Sequence, residues 1–193
     1  MPRQVDHQAR RKLIAEALWR VARQRGMDAV SMRHVATEAG VSVGMVQHYF
    51  RTKDQMLSFA LETIGERVAE RIGARLAELP GDCAPVRRVR AMLLELLPLD
   101  AARHLEAHVG FAFFTRAAVE PGLATRLREQ YPEFVGFVAA EVGRARGDLD
   151  ADREARALMA LVDGLAAHVL VGYESPEGAA EVLEGRLAEV FGG

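Results

Sequence analysis

Side chains that could bind nucleic acid are grouped near residues 39–50, whose sequence is AGVSVGMVQHYF. Gln47 can form two hydrogen bonds with the edge of an adenine, and His48 can donate or accept at a base or a phosphate. Tyr49 and Lys53 offer a hydroxyl and an ammonium group to the phosphates beside those bases. This grouping predicts contact with duplex DNA, and a solvated helix face is the structural alternative.

Two short helices joined by a tight turn would position these side chains. Ser31 and Ser42 are N-cap residues for helices predicted at about 32–39 and 43–49, and Gly40 supplies the backbone freedom of the turn. A helix-turn-helix of this kind presents its second helix to the major groove. The two helices would be held together by an apolar set comprising Val35, Ala36, Ala39, Val41 and Val46.

The outward face of the second helix follows once that apolar set is turned inward. Val43 could lie against a thymine methyl, and Gly44 would let the backbone come close to the DNA. Ser31 and Ser42, at the amide ends of the short helices, could hold phosphates. Phe50 is expected in the core.

Helical periodicity continues through nearly all of the chain, so the sequence predicts an all-α protein. Pro132 lies inside one predicted helix and should kink or divide it. We expect a helix-turn-helix DNA-binding domain over residues 1–60 and a second helical domain over residues 61–193. The other helices are predicted at about 8–25, 52–79, 86–97, 101–119, 121–146, 151–171 and 176–191.

Charge is distributed unevenly along the chain. Residues 1–60 carry ten Lys and Arg against five Asp and Glu, whereas residues 61–193 carry 15 against 22. This asymmetry predicts that only the first part meets a polyanion. The single cysteine, Cys83, excludes an intramolecular disulfide and a Cys-rich zinc site. No signal peptide or membrane span is predicted, so we expect a cytoplasmic protein.

Residues 26–57, GMDAVSMRHVATEAGVSVGMVQHYFRTKDQML, resemble the DNA-binding domain of the TetR family of transcriptional repressors. The resemblance implies that Arg33 reaches a base or a phosphate and that Tyr49 and Lys53 bind phosphates. The family often has an aromatic residue where Gln47 stands, so the bases read here are expected to differ. The matching features are Gly26, Ser31, the Val35-Ala36 pair, AGVS, Gly44, the Tyr49-Phe50 pair and the Lys53-Asp54 pair.

For residues 61–193 the resemblance implies ligand binding and dimerisation. One helix-turn-helix also makes few base contacts, and two-fold dimers on palindromic sites are the usual remedy. A dimer seam is predicted at Leu158, Leu161, Val162, Leu165 and Val169, and monomer core is the alternative. A ligand pocket is predicted from Met92, Leu96, His108, Phe111, Phe114, Phe137 and His168, and core packing is the alternative for each.

The second domain also resembles that of the choline-pathway repressor subgroup, without implying a choline ligand. Asp163 and His168 are unusual in an apolar helix and could pair across a dimer, orient a ligand or reach the surface. The resemblance is carried by His104, His108, Phe111, Ala112, Ala118, the Glu120-Pro121 pair and LVDGLAAH at residues 161–168.

His104 and His108 stand four residues apart on one helical face, a spacing that can bind zinc. The motif is not HExxH, and Glu106 faces another way, so a histidine pair without metal is the preferred interpretation. No nucleophile elbow, phosphate-binding loop or dinucleotide fingerprint is present. We therefore predict neither metal nor cofactor, and no enzyme activity.

The sequence thus predicts a ligand-responsive transcriptional regulator. In the preferred hypothesis a homodimer represses by binding a palindromic double-stranded operator and is released by a small molecule. The residues leave three alternatives open: a non-specific DNA-binding protein without ligand control, a transcriptional activator, and a small helical metalloenzyme that uses His104 and His108.

Overall fold

The computed structural model describes the backbone of residues 2–192 and the side chains of residues 7–120, 122–125, 127–128 and 131–192. Over that range the chain contains helices and no strand, which confirms the predicted all-α class. None of the helices in the described range is long and apolar enough to cross a membrane. The α-helices are α1 (Pro2–Arg25), α2 (Met32–Ala39), α3 (Val43–Tyr49), α4 (Lys53–Ala77), α5 (Pro85–Leu96), α6 (Ala101–Ala117), α7 (Pro121–Ala145), α8 (Ala151–Leu170) and α9 (Pro176–Phe191), and a short 3₁₀ helix spans Met27–Ala29.

Local capping chemistry explains why several predicted boundaries agree with the structure. The bounds of α2, α3 and α9 match those predicted, and each helix begins after a serine whose hydroxyl accepts a backbone N–H. By contrast, α1 begins at Pro2 and not near Gln8. Its first turns are polar, so they lack the apolar periodicity on which the prediction depended.

The chain divides into two compact units, residues 1–67 and residues 68–193. In the first unit α1 packs against α2, and α2 packs against α3. The buried residues of α1 include Ile14, Ala17, Leu18 and Val21, the spacing of one helical face. Phe50 is also buried in this unit, as expected, with its ring 5.5 Å from that of Phe59.

The second unit is a helical bundle in which α7 and α8 form the most extensive helix pair. Its core includes Val89 and Leu93 of α5, Val142 of α7, Leu158 of α8 and Leu183 of α9. Pro132 does not divide α7, which continues from Pro121 to Ala145. Because a proline nitrogen carries no hydrogen, the helix lacks one backbone hydrogen bond next to Tyr131.

Candidate nucleic-acid interface and internal cavity

The turn between α2 and α3 is built by short-range hydrogen bonds. Ser31 Oγ accepts the His34 N–H at 3.2 Å, and Ser42 Oγ accepts the Met45 N–H at 3.1 Å. Gly40 adopts the left-handed conformation, with φ 67°, where a side chain would be strained. The Val41 N–H then donates to the Ala36 carbonyl at 3.0 Å. These contacts fix α3 relative to α2.

Buried side chains on the inner faces of α2 and α3 complete this arrangement. Val35, Ala36 and Val46 are almost fully buried, as the apolar pattern predicts. Arg20 of α1 donates through Nε to Glu38 Oε1 of α2 at 2.7 Å. Buried side chains and the hydrogen bond to α1 therefore fix the position of α2 and α3 within the first unit.

The opposite face of α3 is open to solvent. Gly44, Gln47 and His48 are exposed, and Val43 is half-buried, so the structure brings these four predicted residues together on one surface. Met45 is a fifth member that the sequence interpretation missed, with 37% of its surface exposed. Its position directly before the buried Val46 was the available signal.

The predicted phosphate-binding residues flank this helix. Arg33 and Lys53 are exposed, and Ser31 and Ser42 lie at the first turns of α2 and α3. Tyr49 is half-buried, with its ring 4.7 Å from that of His7 and 5.2 Å from that of His48.

Arg51 adds an exposed guanidinium group that the sequence interpretation overlooked. Its backbone N–H donates to Gln55 Oε1 at 2.9 Å, which holds the connection between α3 and α4. The surface around α3 therefore combines exposed polar side chains with cations at its edges.

A cavity of about 420 Å³ lies in the second unit, between α6, α7 and α8. Phe111 and Phe114 of α6 contribute two of its rings, with centroids 6.3 Å apart. Tyr131 and Phe134 of α7 contribute two more. Most of the remaining lining consists of small or aliphatic residues, which are Leu96, Ala107, Gly110, Leu127, Met159, Gly164, Ala166 and Ala167.

Among the residues that the structure describes, one carboxylate lines this apolar cavity. Asp163 of α8 accepts a hydrogen bond from the Tyr131 hydroxyl of α7. Burial raises the pKa of Asp163 above its ordinary value, and the hydrogen bond from Tyr131 acts in the opposite direction. Burial, followed by the bond and charge of Asp163, raises the pKa of Tyr131, which keeps the hydroxyl protonated.

Three of the seven predicted pocket residues line this cavity: Leu96, Phe111 and Phe114. Met92 lies in the core, and Phe137 packs against that core with the Arg88 guanidinium 5.7 Å from its ring. His108 and His168 are exposed, and neither lines the cavity. Tyr131, Phe134 and Met159 were missed, although their aromatic or sulfur side chains were available signals.

The predicted dimer residues on α8 are mostly inside the bundle. Leu158, Val162, Leu165 and Val169 belong to the core of the single chain, and Leu161 is half-buried. The four core residues are therefore packed within the single chain and not on a surface that a second copy could contact. Between residues 157 and 168, the open face of α8 presents the exposed Ala157, Ala160, Gly164 and His168, with Leu161 half-buried beside them.

The His104–His108 pair is exposed on α6, with ring centroids 6.5 Å apart. Among the described side chains, no group of three or more His, Cys, Asp or Glu residues could hold a metal ion. Glu106 points elsewhere, because it is buried against Arg71 of α4. Within the described part of the chain, the two imidazoles therefore have no further ligands of the kind that a structural zinc site requires.

Arg71 belongs to an ion-pair cluster that joins α4, α5 and α6 within the second unit. It donates to both carboxylate oxygens of Glu106, at 3.0 and 2.7 Å, and to Glu95 at 3.2 Å. Glu95 also accepts from Arg75 at 3.2 Å and lies 3.5 Å from Arg103. Each buried carboxylate is thus balanced by a guanidinium group.

Both parts of the chain match known protein families. Residues 14–58 match the family described as bacterial regulatory proteins, tetR family. Residues 85–192 match the C-terminal domain described as a BetI-type transcriptional repressor.

Individual relatives agree with these matches. The chain is 38% identical to the HTH-type transcriptional regulator PksA of Bacillus subtilis over 89% of this chain and 83% of that protein. The crystal structure of a transcriptional regulator from Rhodococcus sp. RHA1 has a TM-score of 0.84 and 37% identity, covering 93% of this chain and 95% of the other. A regulator from Saccharomonospora viridis in complex with choline has the same fold, with a TM-score of 0.82 and 24% identity, covering 94% and 95% of the two chains.

Proposed function

Because this chain belongs to the TetR family of transcriptional regulators, we propose that it is a repressor that binds a palindromic operator as a homodimer and is released by a small molecule. The observation that carries the proposal is the exposed face of α3, where Gln47 and His48 stand on a helix fixed by its caps and its buried side. The name of the matching C-terminal family, BetI-type transcriptional repressor, supports repression as the direction of control.

DNA recognition would use α3 in the major groove. Gln47, His48, Val43 and Gly44 meet base edges, and Met45 adds an apolar contact for a thymine methyl. Phosphates on either side are held by Ser31, Arg33, Ser42, Tyr49 and Lys53, with Arg51 as an additional cation. The base contacts set sequence preference, whereas the phosphate contacts set register and salt dependence.

Dimerisation would use the open face of α8 together with that of α9. On α8 the small residues Ala157, Ala160 and Gly164 allow another helix to approach closely. On α9, Val182 is 46% exposed and precedes the exposed Gly185. An apolar stripe of this kind is repeated by symmetry in a two-fold pair, so it can contact its own copy.

The cavity of the second unit is the proposed effector site. Its volume of about 420 Å³ and its aromatic lining are typical of a small-molecule pocket. Release requires that the effector bind the DNA-incompetent state more tightly, by the same factor by which it weakens operator affinity.

A gel-shift titration against the upstream intergenic DNA of its own gene, with random competitor DNA present, tests the proposal. We expect a discrete complex that survives competitor and has the mass of a dimer on one site. If no such complex forms, and a random-sequence selection at low salt also yields no preferred site, the proposal of sequence-specific repression is wrong. Equal affinity for selected and random DNA would instead identify a non-specific binder.

A further inference from the structure

The cavity in the second unit has an uneven chemistry. Four rings, those of Phe111, Phe114, Tyr131 and Phe134, stand around it. Among the lining residues that the structure describes, Asp163 is the acidic one, and none is Lys, Arg or His. Ring faces and a carboxylate both attract positive charge.

Asp163 is poorly satisfied by the protein alone. A carboxylate has about four acceptor positions, and this one accepts a hydrogen bond from the Tyr131 hydroxyl. Placing it against an apolar wall costs free energy, as the rise in its pKa reflects. Packing alone would be served better by an apolar or amide side chain at this position.

Tyr131 has the role of a positioning residue. Its hydroxyl holds one carboxylate oxygen of Asp163 and joins α7 to α8 at the cavity wall. The second oxygen has no hydrogen bond to the Tyr131 hydroxyl, so it can meet a ligand. An ammonium group placed there would also lie near the aromatic faces.

We propose that the effector is an organic cation with an apolar body, its ammonium group beside Asp163 and its body among the four rings. This inference rests on the proposed function, because it takes the cavity as the effector site. A volume of about 420 Å³ falls in the range that accommodates drug-sized molecules. A body larger than that of a bare small ammonium such as choline is therefore needed to fill the space.

A charged ligand and its uncharged isostere test the charge preference directly. 3-Hydroxyphenyltrimethylammonium and 3-tert-butylphenol have the same shape and differ in a positively charged nitrogen replaced by carbon. Calorimetric titration of the full-length chain without DNA should show the cation binding at least about tenfold more tightly than its isostere. Choline should bind more weakly than the aryl cation, because it leaves the rings uncovered.

Asp163→Asn removes the charge and keeps the size and an acceptor for Tyr131. It should weaken binding of the aryl cation by about tenfold, because the quaternary nitrogen loses its attraction to the carboxylate charge, and leave the uncharged isostere within about twofold. Asp152→Asn is the matched control, since Asp152 is an exposed residue of the same helix and does not line the cavity. It should leave both affinities unchanged.

Equal affinities of the isosteres for the wild-type chain would overturn the proposal, and so would binding of neither. That comparison needs no variant, so it stands even if Asp163→Asn does not fold. A cation preference that persists in the folded variant would also overturn the role of Asp163. If the cation binds and does not release operator DNA, ligand control fails while the charge preference remains.

Discussion

Arg71 of α4 binds Glu106 of α6 through two parallel hydrogen bonds of 3.0 and 2.7 Å. Glu106 is almost fully buried, and Arg71 is about one third exposed, so water screens this pair only in part. The same α6 lines the cavity through Ala107 and Gly110. The wall of the cavity is thereby tied to α4.

Neutralising Glu106 should destabilise the second unit. Glu106→Gln leaves Arg71 with one carboxylate partner in place of two, and we expect a loss of about 2 kcal/mol in the free energy of unfolding. Urea denaturation measures this change. Glu184→Gln is the control, because its pair with Arg90 is about half exposed on both sides and should cost less than about 1 kcal/mol. Equal losses in the two variants would contradict the importance of burial.

Base and phosphate contacts should respond differently to mutation. Gln47→Ala should cost about 1–3 kcal/mol of discrimination between operator and single-base variants, with little change for random DNA. Lys53→Ala should weaken binding to all sequences and lower the salt slope by about one. Fluorescence anisotropy across a salt series measures both quantities.

Controls for these two variants come from exposed residues elsewhere. Gln24→Ala and Arg87→Ala remove an amide at the end of α1 and a cation of the second unit. Both should bind operator like the wild-type chain. If Gln47→Ala and Lys53→Ala did so as well, the assignment of α3 as the reading helix would be wrong.

A charge on the open face of α8 should prevent self-association. Ala160→Arg places a long cation in the stripe of small residues, and its copy in a symmetric pair would stand opposite. Sedimentation velocity should show a monomer, and operator affinity should fall by at least about tenfold because half of the contacts are lost. Ala102→Arg, on an exposed position of α6, should remain dimeric. A dimeric Ala160→Arg would place the interface elsewhere.

Asp163 should make the protein less stable as the pH rises. Burial raises its pKa in the folded state, so between about pH 4 and that raised value the folded chain binds more protons than the unfolded chain. The free energy of unfolding of the wild-type chain therefore falls as the pH rises through this window. Asp163→Asn does not show this fall, because its amide does not titrate there. We expect the variant to gain stability relative to wild type as the pH rises above about 4 in paired urea denaturations. A difference independent of pH would show that Asp163 is not destabilised by burial.

The helix-turn-helix could be predicted closely because its determinants are local. Ser31, Gly40 and Ser42 act within three or four residues of their own positions, so sequence spacing already contains the geometry. The cavity could not be predicted in the same way. Whether a ring such as Phe137 faces the core or the cavity depends on how α7 is rotated against its neighbours.

The face of α8 illustrates the same limit. Its sequence has one apolar stripe through Leu158 and Val162 and another of smaller residues through Ala157 and Ala160. Periodicity shows that both exist, and it does not say which one the chain buries. The stripe with the larger side chains, Leu158 and Val162, is buried in the bundle, because burying it removes more apolar surface from water.

Glycine residues in the lining contribute to the volume of the cavity, because they place no side chain in it. A Cβ atom added at Gly110 would meet no other atom within 4 Å, so this position accommodates alanine without moving its neighbours. Glycine inside a helix costs about 0.5–1 kcal/mol relative to alanine, so a single-codon change of Gly110 to alanine would increase stability while narrowing the cavity. The effectors that fit the proposed site can therefore change by small inherited steps, at a position remote in sequence from the residues of α3 that are proposed to read DNA.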